Sequence, residues 1–538
     1  MEAENMQSLQ NALPMCAPEP APEQTISDLI GEDYQTWEHG RVLIDAGCGT
    51  GKTYFVLKVL KLWATSWEKG VKFQYEHSVL YLCNRVSLQE VILMANLTEM
   101  QKKEVELGAT SPKEFFVGSP FQIKTYQTIE YFWRQSPEKV REWLSRFKYI
   151  IADECHYFLC DAPFNENTDI SKNLLDELAT EKVVIYMSAT ADLLFNEYIK
   201  DETNLIKRYQ MNKFYSISEL YSYARNIERN EILNTLPEGE KALVFVKSRK
   251  DLEAAKERYA DAAGYYCSEH NPGGPMDELD ACIKEGILQK KILFCTTALY
   301  NGIDIKDPAL KHILVELWEP TDIAQAIGRK RPVDKNDTFK LYLRYKTADE
   351  LQSICDAIVK KIEPAILYRN RNDSENAKTK WIAFASNPKA REQIEYILTE
   401  KRDESSGIFT YEVKQTRFKK LVVQQEILRQ MLKDGYFETL LHGIVSINQS
   451  VHIQTYCLRD LWEFITENIG KEYPTDELKK LLVDVGNITV KGRSQNKGIG
   501  WNKIKKAIEP YKVHIELYQK WDKLNRGKKF ARLTFSDY

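Results

Sequence analysis

The chain has 538 residues, 43% of them hydrophobic and 28% charged, with a formal net charge of -3. That length implies three or four domains with substantial cores, which excludes a disordered or fibrous protein. The near-neutral total excludes a globally basic polyanion binder, so any nucleic-acid contact has to come from local patches.

Residues 1–24 end in the Pro/Ala run APEPAPE and read as a flexible lead-in. With no basic start and no sustained apolar core, they are expected to be neither a signal peptide nor an anchor. No stretch approaches the ~18 consecutive apolar residues of a membrane span. The ten cysteines show no CxxC pair and no Cys/His spacing of the zinc type, so no zinc is expected. Reduced thiols and a cytoplasmic location fit that usage.

From residue 26 onward apolar bursts alternate with helical segments, the pattern of a parallel sheet with crossover helices. The bursts are VLIDA (42–46), SVLYLC (78–83), YIIAD (149–153) and VVIYMS (183–188). They end in Gly47, Asn84-Arg85, Asp153-Glu154 and Ser188-Ala189-Thr190. Parallel sheets bind ligands at the carboxyl ends of their strands, so these ends are expected along one rim.

The first burst runs into AGCGTGKT (46–53), the spacing of a nucleotide phosphate loop with Ala at the usual first glycine. Gly47, Gly49 and Gly51, with Thr50 among them, let the backbone curl so that N–H groups and the next helix start converge on phosphate oxygens. Lys52 then reaches the β- and γ-phosphates and the Thr53 hydroxyl ligates Mg²⁺. An acidic pair after a strand is ordinarily a solvated strand end. Following a phosphate loop on the same rim, Asp153 and Glu154 instead suit metal binding and activation of an attacking water.

A second set of bursts follows: KALVFVKS (241–248), KILFCTTA (291–298), HILVEL (312–317) and KLYLRY (340–345). Its ends carry Lys247-Ser248-Arg249 and Thr296-Thr297, with NGID at 301–304. No phosphate loop precedes any of them, so this half reads as a second sheet that supplies groups to the first domain's nucleotide. Beyond about residue 346 the rhythm turns to helical stretches such as 418–432 and 458–469. The run 368–380 reads as a linker and 469–477 as a boundary. The expected divisions are a flexible segment 1–24, a first lobe 25–210, a second lobe 211–345, a helical accessory domain 346–470 and a basic module 471–538.

Six motifs occur in order over roughly residues 26–345: AGCGTGKT, TYQ (125–127), DECH (153–156), SAT (188–190), TTALYNGID (296–304) and QAIGRKR (325–331). In them the chain resembles the superfamily 2 helicases, the DExD/H-box ATPases, in the DECH variant. The resemblance implies an α/β fold of two tandem RecA-like parallel-sheet lobes, followed here by a mainly helical C-terminal region. It also implies ATP hydrolysis with Mg²⁺, with Thr53 and Asp153 on the metal and Glu154 on the attacking water. His156, Ser188, Ala189 and Thr190 would couple hydrolysis to lobe movement. Gly302 and Asp304 would meet nucleotide from the second lobe, and Gln325 the γ-phosphate region.

Arg329 is the first choice for an arginine finger and Arg331 the second. The family spaces these arginines as GRxxR, whereas Gly328-Arg329-Lys330-Arg331-Pro332 brings the second closer. If that segment is helical the two lie on different faces, unless Pro332 supplies a break. For adenine reading, Gln35 is preferred to Gln24, with an ordinary surface glutamine as the alternative.

Nucleic acid is expected across the tops of both lobes, on Asn84, Arg85, Thr125, Tyr126, Gln127, Lys247, Ser248, Arg249, Thr296 and Thr297, residue types suited to phosphate contacts. Residues 471–538 hold 16 Lys+Arg against 8 Asp+Glu. There Arg493, Lys497, Lys505 and the stacking ring of Trp501 are candidates. The plain alternative is a solvated face of Lys503, Lys505 and Lys506 over a core of Trp501 and Ile504. The leading reading is an ATP-dependent helicase or translocase on DNA in preference to RNA. The alternatives are a duplex translocase or motor subunit serving a partner such as a nuclease or replication factor, and an ATP-switched nucleic-acid-binding scaffold.

Overall fold

The computed structural model describes residues 24–535 except 48, 66–77, 108–109, 117, 214, 269–270, 272, 275, 301–302, 335, 403–408, 445–452, 487, 489–498, 509–510, 512 and 522–526. Six strands, β1 (Gly40–Asp45), β2 (Val79–Cys83), β3 (Phe121–Thr125), β4 (Tyr149–Asp153), β5 (Val183–Ser188) and β6 (Leu205–Gln210), form the first sheet. Their order is β3-β2-β4-β5-β1-β6 and every pair is parallel. The four apolar bursts are its four central strands, buried throughout as a parallel sheet covered on both faces requires. The edge strands β3 (FQIKT), which alternates polar and apolar residues, and β6 (LIKRYQ), which mixes them, give no such run.

The strand order positions the motifs. β5 lies between β4 and β1, with Asp45 opposite Ser188 and Asp153 opposite Met187. The phosphate loop, the Ser-Ala-Thr turn and the acidic pair therefore leave neighbouring strands. The ends of β2 and β3, with Asn84-Arg85 and Thr125 to Gln127, fall on the far side of β4.

The second half contains β7 (Ile217–Tyr223), β8 (Lys241–Phe245), β9 (Ala263–Tyr266), a small hairpin of β10 (Ile283–Lys284) and β11 (Ile287–Leu288), then β12 (Ile292–Cys295), β13 (Leu310–Val315) and β14 (Phe339–Arg344). Its sheet, which takes in a further strand β17 (Ile453–Thr455), runs β17-β7-β14-β13-β8-β12-β9, again parallel. The outermost strand comes from far downstream. After the hairpin of β15 (Leu398–Arg402) and β16 (Phe409–Val413), β17 (Ile453–Thr455) returns to pair with Leu220 to Ser222 of β7.

Between them lies the expected helical region. The helix Ala348–Asn370 starts on a capping box in which Thr347 accepts from the Glu350 N–H and Glu350 accepts from the Thr347 N–H. The run 368–380 is not a linker: it spans the end of that helix and the start of Glu375–Ala385, with only a short turn between. Gln415–Asp434 covers the first of the two expected helical stretches, and Arg459–Asn468 matches the second to within one residue at each end. The last unit packs Arg459–Asn468, Thr475–Val485 and Trp501–Ile508 against an antiparallel sheet of β18 (Glu472–Pro474), β20 (Gly527–Phe535) and β19 (Val513–Trp521). It is fixed to the second lobe by Tyr511 Oη donating to Glu228 (3.2 Å) and Arg225 donating to the Gly486 carbonyl (2.8 Å). No described helix is long and apolar enough to cross a membrane.

One buried ion cluster fixes the loop after the QAIGRKR motif. Lys330 donates to Asp337 (2.6 Å) and to the Asp307 carbonyl (2.7 Å), while Lys311 and the Val333 N–H also serve Asp337. Burial raises the Asp337 carboxyl, but Lys330, the Val333 N–H and Lys311 outweigh it and hold it below the usual carboxylate range. A depressed carboxylate contributes stability above its unfolded pKa and loses it as pH falls through the folded value. Asp337→Asn is therefore expected to destabilise the second lobe by about 3 kcal/mol at pH 7, the scale of breaking a buried pair from one side. Urea unfolding at decreasing pH should show that difference shrinking below about pH 4.

Candidate active site

The candidate phosphate loop is shaped by backbone that only glycine adopts easily. Gly49 and Gly51 have φ of 81° and 89°. Gly47 packs against the chain after β6, where an added Cβ would meet Lys213 Cα at 3.4 Å. The buried Thr50 hydroxyl donates to the Gly47 carbonyl (2.9 Å), and Lys52 Nζ donates to the carbonyls of Ala46 and Gly47 (2.8 Å each). Cys48 lies outside the described residues. Helical turns run from Lys52 to Ala64, with a π segment over Phe55–Leu60. Beneath the loop the buried Asp45 pairs with Arg208 (2.5 Å) and Lys213 (3.1 Å). The sequence carried no sign of this support, because both cations sit on and after a polar edge strand.

Next to the loop, Asp153 Oδ2 accepts from the buried Tyr81 hydroxyl (2.5 Å) and Oδ1 from the Glu154 N–H (3.0 Å). Tyr81 also touches Thr53, so these three side chains are contiguous. Tyr81 was hidden in an apolar burst where an aromatic reads as core. The hydroxyl and carboxylate oxygens of Thr53 and Asp153 are the hard donors that Mg²⁺ takes, so the residues present fit that ion. Burial and the charge of Glu154 raise the Asp153 carboxyl.

Glu154 has φ of 49°, one of three positive values among described non-glycine residues. Burial works to raise its carboxyl, but His156 and the charges of Lys52 and Arg329 bring it well below the usual range. His156 Nδ1 lies 3.2 Å from Glu154 Oε2 and 3.0 Å from Ser188 Oγ. Ser188 Oγ in turn accepts from the Thr190 N–H (3.0 Å), across the buried Ala189.

The second lobe reaches this row directly. Gln325, on the helix Pro320–Ile327, donates from Nε2 to Thr190 Oγ1 (2.6 Å). Arg329 is buried and its Nε points to the Gln325 carbonyl (3.4 Å), with its charge felt at Glu154. The GRKR segment is not helical. The helix stops at Gly328, four residues before Pro332, and Ile305 pairs with Lys330 in a parallel bridge. Arg331 leaves that bridge to pair with Asp304 (2.8 Å). Gly302 lies outside the described residues.

The remaining candidates divide. Gln35 is exposed, with its amide 3.5 Å from Tyr34 Oη. Asn84 is buried and its carbonyl accepts from Gln127 (3.0 Å), Arg85 is paired with Asp161 (2.7 Å), and Thr125 caps the helix Tyr126–Gln135. Tyr126 does not fit strand contact: at 0% exposure it stacks on Tyr157 and donates to the Asp153 carbonyl (2.8 Å), so it is a floor beneath the acidic pair.

In the second lobe Lys247 is exposed, and Ser248 caps the helix Arg249–Tyr259. Arg249 donates to the Gly274 carbonyl, and Thr296 and Thr297 are half-buried at the end of β12. At the C-terminus, Arg493 and Lys497 lie outside the described residues. Ile504 is core and Trp501 packs partly against it, with Lys503 and Lys505 exposed on the same helix.

Residues 16–193 match the family described as "Type III restriction enzyme, res subunit", and residues 226–331 match "Helicase conserved C-terminal domain". No curated protein matches. Solved structures that the chain resembles include Dbp5 of S. cerevisiae bound to RNA and ADP BeF3, with 15% identity, 60% of this chain and 83% of that one covered, and a TM-score of 0.39. The Escherichia coli DEAH/RHA helicase HrpB aligns at 14% identity over 61% and 44%, TM-score 0.39. The Mycobacterium smegmatis helicase Lhr, bound to ssDNA and AMP-PNP, aligns at 13% over 91% and 73%, TM-score 0.42. With two helicase-type models matched in tandem over two parallel-sheet lobes, the chain belongs to the superfamily 2 helicases.

Proposed function

We propose that this chain is an ATP-dependent helicase or translocase that couples Mg-ATP hydrolysis in the cleft between its lobes to movement on a nucleic-acid strand, with DNA as the substrate. The observation that carries the reading is the unbroken row from Glu154 through His156, Ser188 and Thr190 to Gln325 and Arg329. A signal generated at the acidic pair has a polar route into the second lobe, by close contact from Glu154 to His156 and by hydrogen bonds from there on.

Each role follows from local chemistry. The loop N–H groups and Lys52 receive phosphate oxygens. Bound Mg²⁺, held by Thr53 and Asp153, would neutralise charge between the β- and γ-phosphates. Glu154, kept ionised beside Lys52 and Arg329, orients the attacking water and accepts its proton. Arg329 is the better finger: it is buried next to Gln325 and acts on Glu154, whereas Arg331 is engaged with Asp304. Asn84, Arg85, Gln127, Lys247 and Thr296 lie at the strand ends on which the nucleic acid would run. The exposed Lys503 and Lys505 of the last unit add a phosphate-binding face. The preference for DNA rests on the DECH form alone.

ATPase rates measured with single- and double-stranded DNA and RNA test the reading. Stimulation is expected with DNA, and rates no higher than those of Lys52→Ala under every condition would refute it. Glu154→Gln should lose roughly 10²- to 10⁴-fold in kcat, the range of a general base. Arg329→Ala should lose ~10³-fold and Arg331→Ala far less, and the reverse order would reassign the finger. Lys503→Ala/Lys505→Ala should weaken binding to all sequences alike and reduce the salt slope of log K by about 2.

A further inference from the structure

Thr416, Lys420 and Gln424 recur every fourth residue along the helix Gln415–Asp434 and so share one face. The start of this helix is clasped to the first lobe. Thr416 Oγ1 lies 2.7 Å from Thr168 Oγ1, the Thr416 N–H donates to Asp169 (2.7 Å), Arg417 donates to the Ala162 carbonyl (2.6 Å), and Lys419 pairs with Glu197 (2.7 Å). One turn later the grip passes to the second lobe. Lys420 forms an ion pair with Glu319, and Gln424 donates to the other Glu319 oxygen (2.7 Å). Lys420 and Glu319 are each only 3% exposed.

The two neighbours of Lys420 are informative. Glu319 is the N-cap of the helix Pro320–Ile327 that carries Gln325, yet its carboxylate makes no capping bond and serves Lys420 and Gln424 instead. Cys160, whose Sγ is 3.9 Å from Lys420 Nζ, ends the short helix that begins directly after His156. A single ammonium thus touches the element leaving the acidic pair and the element bearing the second lobe's cleft residues. Burial opposes its charge, but Cys160, Glu319 and Asp322 around it more than offset that and keep Lys420 protonated. A buried ion pair is weak as a source of stability and is better suited to fixing one arrangement.

We propose that Lys420 is a positioning residue of the ATPase cleft, setting the distance of Gln325 and Arg329 from Glu154, so that the helical region after the second lobe governs how the lobes close. This rests on the ATPase reading above. Lys420→Met/Glu319→Gln removes both charges together, the change a buried pair tolerates best.

In the full chain with saturating nucleic acid, the double variant should keep the wild-type melting temperature and KM for ATP. Its kcat should fall roughly 10- to 100-fold, the scale of a ~1 Å displacement of reacting groups. Lys420→Arg should recover most of that loss. A folded double variant with wild-type kcat overturns the proposal. If the double variant does not fold, Gln424→Leu takes its place: a loss of about fivefold in kcat at unchanged KM supports the proposal, and no loss overturns it. A wild-type chain no faster than Lys52→Ala overturns the ATPase reading and this inference with it, which separates the two failures.

Discussion

The hydrogen bond from Gln325 to Thr190 is the constraint on which the cleft depends. It joins a turn at the end of β5 to a helix that follows β13, and both partners are themselves held: Thr190 through Ser188, Gln325 through Arg329. Because β5 lies between the strands bearing the phosphate loop and the acidic pair, a shift of the second lobe at this point is felt at both. A direct side-chain contact of this kind is short-ranged and directional, so it separates two arrangements more sharply than apolar packing could.

Buried charge is used in two ways around that contact. Asp45 with Arg208 and Lys213, and Asp337 with Lys330 and Lys311, stand beneath the loops and hold backbone in place. Glu154 is different, because its carboxylate sits among cations without being fully paired by any of them, on a backbone conformation that costs energy. Asp45 and Asp337 are each met by two cations, whereas Glu154 has no such dedicated pair, which is the division expected where a site must bind charge that is not its own.

Much of this was legible in the sequence because parallel sheets advertise themselves. Strands buried on both faces read as unbroken apolar runs, so β1, β2, β4, β5, β8, β12, β13 and β14 could be read directly, together with the residues at their ends. Edge strands have no such signal, which hid β3, β6, β9 and β17; β7 (ISELYSY) lies inside its sheet, but its mixed polar and apolar sequence gives no apolar run either. Strand order is also invisible in a linear chain, so the separation of the nucleotide rim from the ends of β2 and β3 emerges only in the fold. Tyr81 and Tyr126 show the limit at single residues. One looked like core and reaches Asp153, whereas the other looked like a ligand contact and is core. At GRKR the break in the helix comes at Gly328, ahead of Pro332, where the sequence offered only the proline as a candidate stop.

The pairing of β17 with β7 changes how the chain divides. A fragment ending after β14 would retain every motif from the phosphate loop to QAIGRKR, yet it would strip the outer neighbour from Leu220 to Ser222 and leave a row of unpaired backbone amides and carbonyls. Such an edge is a template for association with other chains. The sheet of the second lobe is therefore complete only past residue 455, and this downstream segment is a structural stave of that lobe rather than freight that it carries.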